Sequence, residues 1–158
     1  GTTLVVVKED ILGKVSRKIP SMMDYKVHIS KGSMFNTPPV FAVYTSMLTL
    51  QWLKDLGGIK AIEEENEKKA RLIYSEIDLN PLFKGYAVKE DRSIMNATFT
   101  LENENLKETF DAMWAEAGIN GLNGHRSVGG YRASMYNALS LDSVKALVEV
   151  MSELERKA

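Results

Sequence analysis

Apolar side chains follow different spacings along this chain, and the changes of spacing mark its elements. Residues 3–7 carry Leu4, Val5, Val6 and Val7 in unbroken succession, which predicts a strand covered on both faces of a sheet. A connecting segment with a short helix near residues 9–14 follows, continued irregularly through Pro20 to Tyr25. Between Val40 and Leu56 the apolar set includes Phe41, Val43, Tyr44, Met47, Leu48, Leu50, Trp52 and Leu53. These positions cover well over half the circumference of a helix predicted over 38–55, so burial between layers or at a subunit interface is expected. Thr37 is placed to cap that helix, and Pro38 to occupy its first turn, where a missing N–H costs nothing.

Gly57-Gly58 closes that helix and a second is predicted over 59–77, with Ile59, Ile62, Ala70, Ile73 and Ile77 at helical spacing. Glu64/Lys68, Glu65/Lys69 and Glu67/Arg71 read as acid-first pairs on its solvated face, each contributing about 0.2–0.5 kcal/mol. Past an irregular or short helical connection at Asn80-Pro81, Met95, Ala97, Phe99 and Leu101 alternate with Asn96, Thr98 and Thr100, predicting a strand over 94–101 with one polar face. Asn105 and Glu108 resemble a capping box for a helix with Leu106, Phe110, Met113, Trp114 and Ala117 inward, ended by Gly118. Two short strands are predicted over 119–123 and 130–135, and Ser140 caps a last helix burying Val144, Leu147, Val148, Met151 and Leu154. The order implies an α+β fold, with helices packed on one side of a small, mainly antiparallel sheet.

Composition narrows the function without naming it. The 20 basic and 21 acidic residues among 158 leave a formal charge of −1, against the basic excess that a general nucleic-acid or anionic-membrane binder needs. The absence of cysteine excludes disulfides and thiolate chemistry, and only two histidines, His28 and His125, make a His-rich metal site improbable. No stretch is apolar for the roughly 18 residues of a membrane-spanning helix, and no signal peptide opens the chain, so a cytoplasmic protein is expected. A buried strand with no element before it, opening on Gly1 rather than methionine, leads to the expectation of a fragment.

The chemistry concentrates between Gly121 and Asn137, where His125, Arg126 and Arg132 sit among Gly121, Gly124, Gly129 and Gly130. Glycine permits positive φ and close approach to main-chain N–H groups, while a guanidinium fork matches a carboxylate or phosphate bidentately. The pattern fits two separate anions, as on a small dianionic or trianionic metabolite. Against this stands a plainer reading, a glycine-rich turn whose Arg132 pairs with a neighbouring Asp or Glu. Asn36 and Thr37 stand at a predicted helix N-terminus, where ordinary capping and phosphate binding are both open. A stand-alone α+β module recognising a phosphorylated metabolite or an RNA phosphate is the alternative to an enzyme, weakened by the lack of aromatic platforms with basic neighbours.

The run from Asn123 to Asn137 closely resembles the C-terminal signature of the phosphoserine aminotransferases, pyridoxal-phosphate enzymes of the aspartate-aminotransferase fold, and Asn36-Thr37-Pro38-Pro39 resembles a second segment of theirs. The resemblance spans essentially the whole chain but less than half of the family enzyme. It implies a C-terminal small domain over 31–158, including its leading long helices, preceded over 1–30 by a remnant strand of the large domain and a connecting segment. It further implies that Arg132 binds the amino-acid α-carboxylate, that His125 and Arg126 belong to the pocket for the substrate phosphate, and that Asn36 and Thr37 reach the cofactor phosphate of the partner subunit in a homodimer. The implied substrates are phosphoserine, glutamate and 2-oxoglutarate, in serine biosynthesis and, in many bacteria, pyridoxine biosynthesis. The family's Schiff-base lysine falls just before Gly1, while Lys8 and Lys26 match other positions. No catalytic residue is therefore expected here, and the chain alone is expected not to transaminate.

Overall fold

The computed structural model describes residues 1–127 and 129–158; Val128, a member of the glycine-rich run, lies outside the described residues. Internal contacts gather the chain into two units, Gly1–Asp55 and Leu56–Ala158.

In the first unit the strand expected over 3–7 does not form. A strand exists only through ladder bonds to a neighbour, and among the described residues nothing pairs with this segment, whose Leu4 and Val6 are each 90% exposed. The helix expected near 9–14 is a single 3-10 turn, Glu9–Ile11, with Gly13 at positive φ just beyond it. Helix α1 (Tyr25–Ser30) was not predicted; the Asp24 carboxylate accepts from the Lys26 N–H at 2.9 Å to start it. His28 lies on α1, its Nε2 2.8 Å from the Met22 carbonyl and its ring edge-on to Phe35.

Helix α2 (Val40–Asp55) begins two residues later than predicted. A residue that precedes proline is pushed out of the α region, and both Thr37 and Pro38 precede one. Pro39, whose carbonyl accepts from the Val43 N–H at 3.1 Å, therefore holds the boundary position expected of Thr37. Burial between layers, one of the two expected outcomes, is not seen within this chain: no α2 residue is buried, and Val40 and Phe41 are 68% and 80% exposed. An all-round apolar helix has no solvated side of its own, so α2 presents its apolar surface outward.

In the second unit Gly57, at φ 105°, makes the left-handed turn that launches α3 (Gly58–Leu79). The expected stripe is present, with Ala70, Ile73 and Ile77 buried, and it is joined by two polar residues, Asn66 and Lys69. Two surface ion pairs form, Lys68 with Glu65 and Arg71 with Glu67. Lys69 does not pair with Glu65. It is 1% exposed, and its ammonium donates to the carbonyls of Tyr136 at 2.9 Å, Leu139 at 3.0 Å and, weakly, Met135. Burial depresses its pKa, with Glu65 opposing. One turn before it, Asn66 donates to the Asn137 side chain at 2.8 Å, so α3 grips the segment after the last strand at two places.

Asn80 ends α3 and redirects the chain. Its amide donates to Glu76 and to the Met151 carbonyl, and its oxygen accepts from the Leu82 N–H. This turn feeds a strand the sequence reading missed, β1 (Phe83–Gly85), which pairs antiparallel with β2 (Asn96–Leu101). Asn103, rather than Asn105, caps the next turn, through its oxygen and the Asn105 N–H, ahead of α4 (Lys107–Glu116). The strand expected over 119–123 is reduced to one bridge, Asn123 with Tyr131, and the strand after it is β3 (Tyr131–Ser134), antiparallel to β2. Helix α5 (Leu141–Lys157) closes the fold, with the Ser140 hydroxyl accepting from the Ser143 N–H at 3.2 Å as predicted.

The sheet order is β1-β2-β3. One face supplies the core, where Phe83, Phe99 and Tyr131 meet Phe110 of α4 and Ile73, Ile77, Leu147, Met151 and Leu154 of α3 and α5. The other face carries Lys84, Thr98, Thr100 and Arg132 and is left polar. The Lys69 contact yields the first prediction. Replacing it with methionine keeps the stem volume but strips three carbonyls of their donor, which should lower stability by about 2–3 kcal/mol. A chemical-denaturation midpoint equal to that of the unsubstituted protein would contradict this.

Candidate anion site on the glycine loop and third strand

The glycine run forms a closed loop leading into β3. The Gly124 N–H donates to the Gly130 carbonyl and the Gly129 N–H to the His125 carbonyl, each at 2.8 Å, while the Arg132 N–H reaches the Leu122 carbonyl at 2.7 Å. Two of the glycines are required here. A Cβ at Gly124 would overlap the Gly129 carbonyl, and at Gly130, where φ is 62°, it would lie 2.6 Å from the carbonyl of Phe99. The loop is therefore a built structure, held at both ends by backbone.

Beneath it Tyr131 anchors the start of β3. Its ring stacks on Phe99 and meets Phe110 edge-on, and its hydroxyl donates to the Asp111 carboxylate at 2.8 Å. Burial, reinforced by that bond to Asp111, pushes the Tyr131 phenol far above its ordinary range. Burial alone would raise Asp111, but hydrogen bonds from Lys107, Tyr131 and Trp114 hold its carboxyl below the usual carboxylate value. The strand's inner residue is thus locked, and its alternate, Arg132, must project from the polar face of the sheet, opposite Thr98 in register.

His125 and Arg132 line one small cleft with Tyr86, Thr98 and Thr100, of about 130 Å³. Arg132 also lines a neighbouring hollow of about 310 Å³ with Asn120, Ser134 and Ser143. Arg126 lies on the same loop, exposed, and lines neither space. Neither Arg126 nor Arg132 forms an ion pair among the described residues, so the plainer reading of Arg132 as half of a surface salt bridge finds no partner. Asn36 and Thr37 belong to the first unit. Both are exposed, and the Asn36 amide is 3.1 Å from the Met22 sulfur. Sequence reasoning missed Tyr86, because it missed β1. Thr98 and Thr100 were legible as the polar alternates of β2 but gave no sign of facing Arg132.

The chain belongs to the class-V aminotransferases, whose family model matches residues 1–147. Within that class it is most informatively compared with phosphoserine aminotransferases. It is 70% identical over 157 residues to that of Flavobacterium psychrophilum and 66% identical to that of Flavobacterium johnsoniae, in each case covering 99% of this chain. The chain spans 44% of the length of these relatives. Solved structures agree. The phosphoserine aminotransferase of Bacillus circulans subsp. alkalophilus superposes on 96% of this chain and 42% of its own, with a TM-score of 0.86 at 39% identity. That of Trichomonas vaginalis, solved with PLP bound, covers 87% of this chain and 40% of its own, with a TM-score of 0.76 at 38% identity. The architecture is that of the C-terminal portion of the aminotransferase fold, and the comparisons give no support to a stand-alone phosphate-binding module.

Proposed function

We propose that this chain is the C-terminal portion of a phosphoserine aminotransferase, which exchanges the amino group of phosphoserine for the oxo group of 2-oxoglutarate to give 3-phosphohydroxypyruvate and glutamate. The observation that carries the proposal is the set of unpaired cations on one glycine-built loop and strand, in a chain 70% identical to a phosphoserine aminotransferase. Arg132, projecting from a locked strand, holds the α-carboxylate common to both amino acids. A charge-assisted pair of this kind contributes about 1.5–3 kcal/mol and fixes orientation. His125 and Arg126 meet the substrate phosphate, a more highly charged distal anion than the singly charged γ-carboxylate that glutamate carries in its place.

Pyridoxal phosphate, when bound, supplies the electron sink for bonds broken at the substrate α-carbon. The residues present fit one part of it. Asn36 and Thr37 are exposed amide and hydroxyl donors, the class of group that a phosphate accepts from, and both remain accessible to a partner subunit. The outward apolar surface of α2 supports assembly as a homodimer, in which these donors serve the partner's cofactor. In this proposal residues 1–30 border the large domain and 31–158 form the small domain, the enzyme works in the cytoplasm in serine and pyridoxine biosynthesis, and the 158 residues alone are inactive. No helix of the described residues is long and apolar enough to cross a membrane.

The test is an assay of the full-length protein with phosphoserine and 2-oxoglutarate. Glutamate should form, and the reverse reaction should consume it. Turnover of other amino acids with none of phosphoserine would remove the proposal.

A further inference from the structure

His125 carries a feature that its place among cations does not require. Its Nδ1 is engaged twice by Ser127, 2.6 Å from the hydroxyl oxygen and 3.3 Å from the backbone nitrogen. A backbone N–H can only donate, so in this arrangement Nδ1 must be bare and accepting. That nitrogen has one lone pair, which the two donors share unequally: the hydroxyl at 2.6 Å is the main donor and the backbone N–H at 3.3 Å a weak one, so loss of the hydroxyl leaves the ring poorly held. A neutral imidazole whose Nδ1 is bare carries its proton on Nε2, and that nitrogen has no partner among the described residues. The backbone that carries the ring is fixed too, since the His125 carbonyl accepts from the Gly129 N–H at 2.8 Å. His125 therefore offers a directed N–H donor even when uncharged, and it does so on a residue that lines the Arg132 cleft.

We propose that Ser127 is a specificity-determining positioning residue: by occupying Nδ1 of His125 it fixes the imidazole as the Nε2–H tautomer and aims that N–H at the substrate's phosphate. This rests on the assignment of His125 to the phosphate made above. An anion needs donors, and an unrestrained ring divides its neutral population between two tautomers and two orientations, of which one combination serves. Ser127 removes that division without contacting substrate itself. Discrimination for phosphoserine over glutamate is where the effect falls, because glutamate brings a γ-carboxylate, with less charge and fewer acceptor oxygens, in place of the phosphate.

The experiment compares three variants of the full-length holoenzyme. Ser127→Ala is expected to worsen the ratio of phosphoserine KM to glutamate KM by about fivefold, with kcat changing less than KM, and Ser127→Thr, which keeps the hydroxyl, is expected to restore most of it. His125→Ala is the control on the underlying assignment and should worsen the same ratio at least as much. Nitrogen-15 spectra of histidine-labelled enzyme, with the His125 signal identified by its loss in His125→Ala, should show Nδ1 as an unprotonated nitrogen at a pH where the ring is neutral. If His125→Ala shifts the ratio but Ser127→Ala does not, or if Nδ1 carries the proton, the role of Ser127 is overturned while His125 keeps its assignment. If His125→Ala leaves the ratio unchanged, the phosphate assignment and this inference fall together.

Discussion

Substituting Arg132 with alanine in the full-length enzyme should lower kcat/KM for phosphoserine and for glutamate alike, by about 10- to 150-fold each. The span is the 1.5–3 kcal/mol of a charge-assisted hydrogen bond expressed as a rate ratio. Both substrates suffer because both present an α-carboxylate, and that is the group a guanidinium fork at the end of a rigid strand would hold. The fold should be indifferent to the change. Arg132 is exposed, stands on the polar face of the sheet and has no ion pair among the described residues, whereas its neighbour Tyr131 carries the packing. Steady-state kinetics with each substrate, beside a melting curve, check both halves. A large loss of thermal stability with unchanged kinetics would mean that Arg132 is structural.

The 158-residue chain, purified and supplied with pyridoxal phosphate, phosphoserine and 2-oxoglutarate, should form no glutamate above the level of cofactor alone. Covalent catalysis with this cofactor needs a lysine set beside it. Lys69 is the one lysine buried among the described residues. Its nitrogen is enclosed and committed to the carbonyls after β3. Lys8 and Lys26 are exposed and stand outside the segments that resemble the family's site. Measurable turnover by the purified chain would refute this, and loss of that turnover in a lysine variant would identify the residue responsible.

Much of the second unit was legible because its elements are long and their periods clean. Helices α3 and α5 show a 3.6-residue stripe over four turns or more, and β2 alternates without interruption over Asn96–Leu101. What failed was short or context-dependent. Strand β1 is three residues behind a proline, too brief to display a period, and Ile119 and Leu122 suggested a strand where only one bridge forms. Lys69 shows the limit of charge patterning. An acid four residues before a lysine looks the same on any side of a helix, and only the segment folded back from Met135 to Leu139 shows that Lys69 faces inward. For the site, the glycines and cations of residues 121–137 singled out a candidate anion loop by residue type alone. The anchoring of Tyr131 by Asp111 could not be seen, because 20 residues separate them. The Ser127 contact to His125 was within reach of inspection at a spacing of two, but nothing in residue type gives a tautomer.

The central claim is that the loop and third strand divide two anions of one substrate between them. Its most direct test is Arg126→Ala in the full-length enzyme, assayed against phosphoserine and glutamate under identical conditions. The account predicts that kcat/KM for phosphoserine falls by about tenfold or more, the equivalent of one charge-assisted bond, while the value for glutamate changes far less. Equal losses on the two substrates would contradict it, because they would show that Arg126 serves the γ-carboxylate of glutamate as fully as the phosphate.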